Sequence, residues 1–141
     1  MKVHTASFAE LDPATLYEIA RLRVDVFVVE QSCCYPELDG RDREPGTVHV
    51  WAEEDGQVLA YLRVLRQPGG GSRVGRVCTA AAARRRGLAG RLLRRALDLA
   101  TPPVTVHAQA HLADWYATLG FVPQGEPFLE EGIRHVAMRL P

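Results

Sequence analysis

Apolar and polar positions are ordered well enough to mark most of the secondary structure. Lys2 to Phe8 reads as a short first strand. Asp12-Pro13 then opens a helix, with Asp as N-cap and Pro suited to the first helical position. Leu16, Ile19, Ala20, Leu22, Val26 and Phe27 recur at three- to four-residue spacing, which predicts a helix to about Val29. Gln31 to Gly46 is rich in Pro, Gly and Asp and reads as a loop. Val48, Val50 and Ala52 alternate with His49 and Trp51, and Asp55-Gly56 supplies hairpin-turn residues. On the return strand Val58, Ala60, Leu62 and Val64 share one face, and Leu59, Tyr61, Arg63 and Leu65 the other.

A glycine loop leads to a fourth strand near Arg73 to Thr79, followed by a helix from about Gly87 to Leu99. Its apolar stripe is Leu88, Leu92, Leu93, Ala96 and Leu97, and Pro102-Pro103 stops it. Val104 to Ala108 is a fifth strand, and Leu112 to Leu119 a helix closed by Gly120. Phe121-Val122 and Ile133 to Leu140 form a last hairpin. The order β-α-β-β-β-α-β-α-β-β predicts an α/β fold with a mixed sheet of six to seven strands flanked by helices. A length of 141 residues suits one domain spanning 1–141.

Composition narrows the function classes. Lys plus Arg (17) equals Asp plus Glu (17), so net charge offers no polyanion-binding footprint. Lys2 is the only lysine, and the remaining basic residues are arginines. With abundant Ala, Gly and Pro, this resembles the codon bias of a GC-rich, bacterial genome. No apolar run approaches the roughly 18 residues of a membrane span, and no signal peptide opens the chain, so the cytoplasm is the expected compartment. Cys33, Cys34 and Cys78 make neither a disulfide framework nor a zinc motif, and no metal is expected.

The chemistry concentrates after the fourth strand. Val77-Cys78-Thr79 feeds a short loop, Arg84-Arg85-Arg86, which runs into Gly87-Leu88-Ala89-Gly90 at a helix start. The first amides of a helix lack intrahelical acceptors and carry the positive end of its dipole. Gly87 and Gly90, with small Ala89 between, let an anion such as pyrophosphate approach the backbone, and the arginines add charge. A solvated arginine-rich helix opening is the plainer reading. Nucleic-acid binding is disfavoured, because the six arginines between Arg84 and Arg95 do not share one face.

The pattern Arg-x-x-Gly-x-Ala at Arg84, Gly87 and Ala89 resembles the coenzyme A signature of the GNAT N-acetyltransferase superfamily. Trp115-Tyr116-Ala117-Thr118-Leu119-Gly120-Phe121 resembles its Tyr-x-x-x-Gly-Phe segment. Leu22 to Gln31, Tyr35 to Asp42, Ala108 to Leu112 and Glu131 to Met138 resemble the ElaA-like branch, although Arg134 stands where those proteins usually have Pro. Many superfamily members place Asn where this chain has Gln109, a position that often contacts the cofactor.

The resemblance implies a mostly antiparallel sheet splayed between its fourth and fifth strands, gripping acetyl-CoA. Backbone groups of Val77, Cys78 and Thr79 would hold the pantetheine arm, with an amide polarising the thioester carbonyl. Arg84, Arg85, Arg86, Gly87, Leu88, Ala89 and Gly90 would bind the pyrophosphate. Tyr116 matches the position that protonates the departing thiolate, and Cys78 is expected to be structural. For the base that deprotonates the amine, His49, His107, His111, His135 and Glu30 are candidates. A chain of waters would serve equally, and among the side chains His111 is preferred because it follows the fifth strand. Glu37, Asp39, Asp42 and Glu44 could attract a cationic amine, or form a solvated acidic loop. The leading expectation is an acetyl-CoA-dependent N-acetyltransferase acting on an amine. Its rival is a catalytically weak acetyl-CoA-binding sensor. No nucleic-acid or membrane partner is expected, and the sequence is compatible with a homodimer.

Overall fold

A computed structural model describes all of residues 1–141. Strand β1 (Lys2–Ala6) leads to helix α1 (Pro13–Val24), then to β2 (Val48–Glu54), β3 (Gln57–Arg66) and β4 (Ser72–Thr79). Helix α2 (Leu88–Leu99), β5 (Val104–Gln109), α3 (Ala113–Thr118), β6 (Val122–Pro123), β7 (Phe128–Glu130) and β8 (Ile133–Leu140) complete the chain. The sheet order is β1-β2-β3-β4-β5-β8-β6, with β7 also on β8. All strand pairs are antiparallel except β4–β5. The sheet thus has eight strands where the pattern predicted six to seven. The short β7 escapes a periodicity reading because three residues are too few to show alternation.

Local chemistry explains the element ends. The Asp12 carboxylate accepts from the Thr15 amide at 2.8 Å and caps α1, with Pro13 in its first turn. Past Val24 the helix widens into π-type turns over Asp25–Glu30, the stretch that ends at the cleft described below. Gly87 opens α2 at φ +72°, and Gly120 follows α3 at φ +99°.

Two cores lie on opposite faces of the sheet. On one, Leu88, Leu92, Leu93 and Ala96 of α2 pack on Val50, Leu62, Val74, Val106 and Tyr116. On the other, Ile19, Leu22, Val26 and Phe27 pack on Trp51, Tyr61 and Cys78. Strand β3 serves both by alternation, sending Ala60, Leu62 and Val64 one way and Tyr61 the other.

The parallel pair sets the functional geometry. β4 and β5 are in register only over Ser72–Val74 and Val104–Val106. Beyond Val74, β4 bulges against β3: Gly75 faces Arg63, Cys78 faces Tyr61, and Arg76 takes φ +54°. Meanwhile β5 keeps continuous register with β8 through Gln109 and His135. β4 therefore leaves with β3 while β5 stays with β8, and a wedge opens between them.

The closed end of the wedge depends on Gly71. Its φ is +86°, and a Cβ there would come within 2.6 Å of the Pro103 carbonyl oxygen. That carbonyl accepts from the Ser72 amide at 3.0 Å. Gly71→Ala should cost roughly 1–3 kcal/mol through backbone strain alone, and more through the clash. Urea unfolding would measure it, and an unchanged midpoint would mean that this junction relaxes freely.

Candidate active site

The wedge widens into an open cleft of about 910 Å³. Its floor is the splayed part of β4, where Val77 and Thr79 are half-buried and Cys78 is buried. Burial pushes the Cys78 thiol up to about 12, so it stays protonated, and its side chain sits in the α1-face core. Gln109, His111 and Tyr116 line the cleft from the β5 side.

At one end the chain leaves a run of backbone amides free, in the segment the sequence singled out. The amide of Arg91, bonded to the Gly87 carbonyl at 3.2 Å, is the first in α2 with a protein acceptor. The six preceding amides, Arg85 through Gly90, donate to no protein group. Arg85 and Gly87 both have positive φ, which turns consecutive N–H groups to one side. Gly87, Leu88 and Gly90 line a groove that shares Arg84, Arg85 and Ala89 with the main cleft. Only the backbone of Leu88 is available there, since its side chain is in the core.

The three arginines differ. Arg84 forms a two-pronged pair with Glu30, at 2.6 and 2.8 Å, and donates to the Thr79 carbonyl at 3.2 Å. Arg86 turns to Glu54 at 2.9 Å and lies outside the cleft lining. Arg85 has no side-chain partner.

Tyr116 is 4% exposed, edge-on to Trp115 and Phe121 with centroids at 4.9 and 5.8 Å. Its hydroxyl has no protein hydrogen bond, yet it is not sealed from the cleft. Burial pushes it up to about 12. The group is therefore a neutral O–H aimed at no protein acceptor, which suits a proton donor.

The far end holds an ion network that pattern reading did not find. Arg23, 2% exposed, donates to Glu37 Oε2 at 2.8 Å and Asp42 Oδ1 at 2.7 Å. Arg63 donates to Asp39 at 2.7 and 2.9 Å and to Asp42 at 3.1 Å. Arg76, on the β4 bulge, donates to Glu37 at 2.8 Å and lies over the Tyr35 ring. The Tyr35 hydroxyl adds a bond to Glu37 at 2.8 Å. Burial raises the Asp42 carboxyl, but Arg23 and Arg63 outweigh it and hold the group below the usual carboxylate range. Asp39 is likewise held low against burial, chiefly by Arg63.

This corrects the expectation for the acidic loop. Glu37, Asp39 and Asp42 are paired with arginines, and Glu44 is paired with Arg41 at 3.1 Å. The loop leaves no unpaired acid to draw in a cation, and while Asp39 and Glu44 are exposed, Glu37 and Asp42 are buried at 4% and 8% exposure. Arg63 in an apolar strand, and Arg23 between Ile19 and Val26 on a buried helix face, were the available signals.

The histidines separate by environment. His49 lies outside the cleft between the Tyr61 hydroxyl at 2.6 Å and the Asp42 carbonyl at 3.1 Å, and burial lowers it. His111 is exposed on the cleft rim without a partner. His107 and His135 lie against Glu130, at 3.1 and 3.7 Å.

No helix is long and apolar enough to cross a membrane. A family model described as an acetyltransferase (GNAT) domain matches residues 18–141. The UPF0039 protein Rv2851c of Mycobacterium tuberculosis is 48% identical, covering 94% of this chain and 88% of its own. Protein ElaA of Escherichia coli is 35% identical over 92% of this chain and 90% of its own. The crystal structure of E. coli ElaA superposes with a TM-score of 0.92 over 99% of both chains, at 31% identity. That of an acyl-CoA N-acyltransferase from Pseudomonas aeruginosa gives 0.91 at 44% identity, covering 98% and 97%. Sequence motif, splayed sheet and these likenesses agree, and the chain belongs to the GNAT acetyltransferase family, in its ElaA-like branch.

Proposed function

We propose that the protein is an acetyl-CoA-dependent N-acetyltransferase that passes an acetyl group directly to a primary amine. The observation that carries this reading is the row of unpartnered amides from Arg85 to Gly90 at the end of an open β4–β5 wedge. The similar protein from Pseudomonas aeruginosa, described as an acyl-CoA N-acyltransferase, supports it.

In this reading the cradle, with Ala89 leaving space and Arg84 and Arg85 supplying charge, holds the pyrophosphate. Arg86 contributes through its amide, its side chain being engaged by Glu54. Val77, Cys78 and Thr79 offer unpaired strand edge to the pantetheine amides, and an amide there polarises the thioester carbonyl. Gln109, on the facing edge of β5, adds a side-chain amide. Tyr116 supplies the proton to the departing sulfur. His111, at the rim, can exchange protons with solvent. The buried thiol of Cys78 makes a covalent acetyl-cysteine route unfavourable.

Acetyl-CoA should raise the melting temperature, because a ligand of the folded state stabilises it by mass action. Gly87→Val, a β-branched residue at φ +72°, should remove that shift. Thiol release should follow addition of an amine panel of polyamines, amino sugars and peptide N-termini. An unchanged melting curve at millimolar acetyl-CoA would sink the reading. A shift without turnover on any amine would favour the sensor role instead.

A further inference from the structure

Opposite the phosphate cradle, four strands bring charged and titratable groups to one corner of the cleft. β4 supplies Arg73, β5 His107, β7 Glu130 and β8 His135. His107 Nδ1 lies 3.1 Å from Glu130 Oε1 and 2.9 Å from Arg73 Nη2. Glu130 stands between Arg73, 3.9 Å away, and His135 Nε2, 3.7 Å away. The remaining charges on this side are Arg76 and Asp39, which bond each other, and Glu131, exposed on the β7–β8 turn.

The three histidines that line the cleft are held differently. His135 has both nitrogens committed, Nδ1 to the Ile133 carbonyl at 2.7 Å and Nε2 toward Glu130. His111 has nothing to fix its ring. His107 is wedged edge-on against Phe128, with ring centroids 5.2 Å apart, and its Nδ1 is engaged. Its Nε2 has no protein partner and is not sealed from the cleft. Nδ1 has two competing neighbours. The Glu130 carboxylate favours the tautomer with the proton on Nδ1 and the lone pair on Nε2, whereas Arg73, which can only donate, favours the reverse. The base role uses the Glu130-paired tautomer.

The placement along β5 adds a second argument. Val104, Val106 and Ala108 face the α2 core that holds Tyr116, so His107 projects from the other face. A proton donor and a proton acceptor thus reach the wedge from opposite sides.

We infer that His107 is the general base that deprotonates the acceptor ammonium, and that Glu130 positions its ring. This rests on the acetyl-transfer reading above. The ammonium N–H bond breaks and its proton goes to Nε2. The freed nitrogen pair forms the C–N bond as the C–S bond breaks, and the sulfur takes the Tyr116 proton. The imidazolium, stabilised by Glu130 against the neighbouring Arg73, then returns its proton to water.

The test compares two nucleophiles with the holoprotein and acetyl-CoA: the fastest primary amine of the panel, and hydroxylamine. Hydroxylamine is already a free base at neutral pH and needs no deprotonation before attack. His107→Gln should lower kcat/KM for the alkylamine about a hundredfold and leave hydroxylamine within about threefold. The acid limb of the alkylamine pH profile should move in opposite directions, to lower pH in Glu130→Gln and to higher pH in Arg73→Met. Equal losses for both nucleophiles, with the acetyl-CoA melting shift intact, would overturn the role of His107 alone. Absence of transfer to either nucleophile by the unaltered protein would overturn the acetyl-transfer reading and this inference together.

Discussion

Arg23→Met should destabilise the fold by about 3–5 kcal/mol, the range for removing one partner of a buried ion pair. Three arginines and three carboxylates balance in this network: Arg23, Arg63 and Arg76 against Glu37, Asp39 and Asp42. Methionine preserves much of the packing volume and removes the charge, leaving one buried negative charge in excess. It also takes away the cation 5.3 Å above the Tyr61 ring. Guanidinium unfolding at neutral pH measures the loss. The pH dependence supplies a second check. Asp42 is held below its unfolded value of about 3.9, so its contribution to stability is present above that pH. The contribution is lost as pH falls toward the depressed folded value. In Arg23→Met the cation is gone, and protonating Asp42 relieves the variant. The stability gap between the two proteins should therefore narrow from pH 7 to below 4. A gap of constant size would show that charge pairing is not its origin.

Such a network also explains what was legible in the sequence. The row of free amides could be read because a strand, a short arginine loop and a glycine-rich helix start are contiguous from Val77 to Gly90. The elements α1, β2, β3 and α2 could be read because their periodicities are long. The partners of Arg23 lie 14 and 19 residues away, and the two carboxylates of Arg63 lie 21 and 24 away. No local pattern links such residues. Acids spaced along a Pro- and Gly-rich loop look solvated until the fold supplies their arginines.

The corner around His107 was hidden for a related reason. Glu130 lies on β7, too short to be recognised, and reaches His107 only because β7 and β5 flank the same end of β8. The wedge itself depends on Arg76 adopting φ +54°, a conformation that a non-glycine residue does not advertise. The Val77–Gly90 end of the cleft was legible because contiguous backbone and glycine chemistry dominate there. The His107 end was not, because side chains from distant strands build it.

Tyr116→Phe should lower kcat by roughly ten- to a thousandfold, as expected for the loss of one general acid. The ring is packed between Trp115 and Phe121, and phenylalanine keeps those edge contacts. The hydroxyl bonds no protein group, so removing it leaves no buried acceptor unsatisfied, and stability should barely change. What disappears is a proton that burial holds in place to about pH 12, ready for a sulfur that develops negative charge only as the C–S bond breaks. An interaction made only then belongs to the transition state, so acetyl-CoA affinity should shift by less than about threefold. Because burial pushes this group up, its ionisation should leave no basic limb in the rate profile near neutrality. Steady-state kinetics on an active amine, with calorimetric titration of acetyl-CoA, separate the two effects. Parallel losses in kcat and cofactor affinity would assign Tyr116 to shaping the pocket. An unchanged kcat would pass the proton delivery to water.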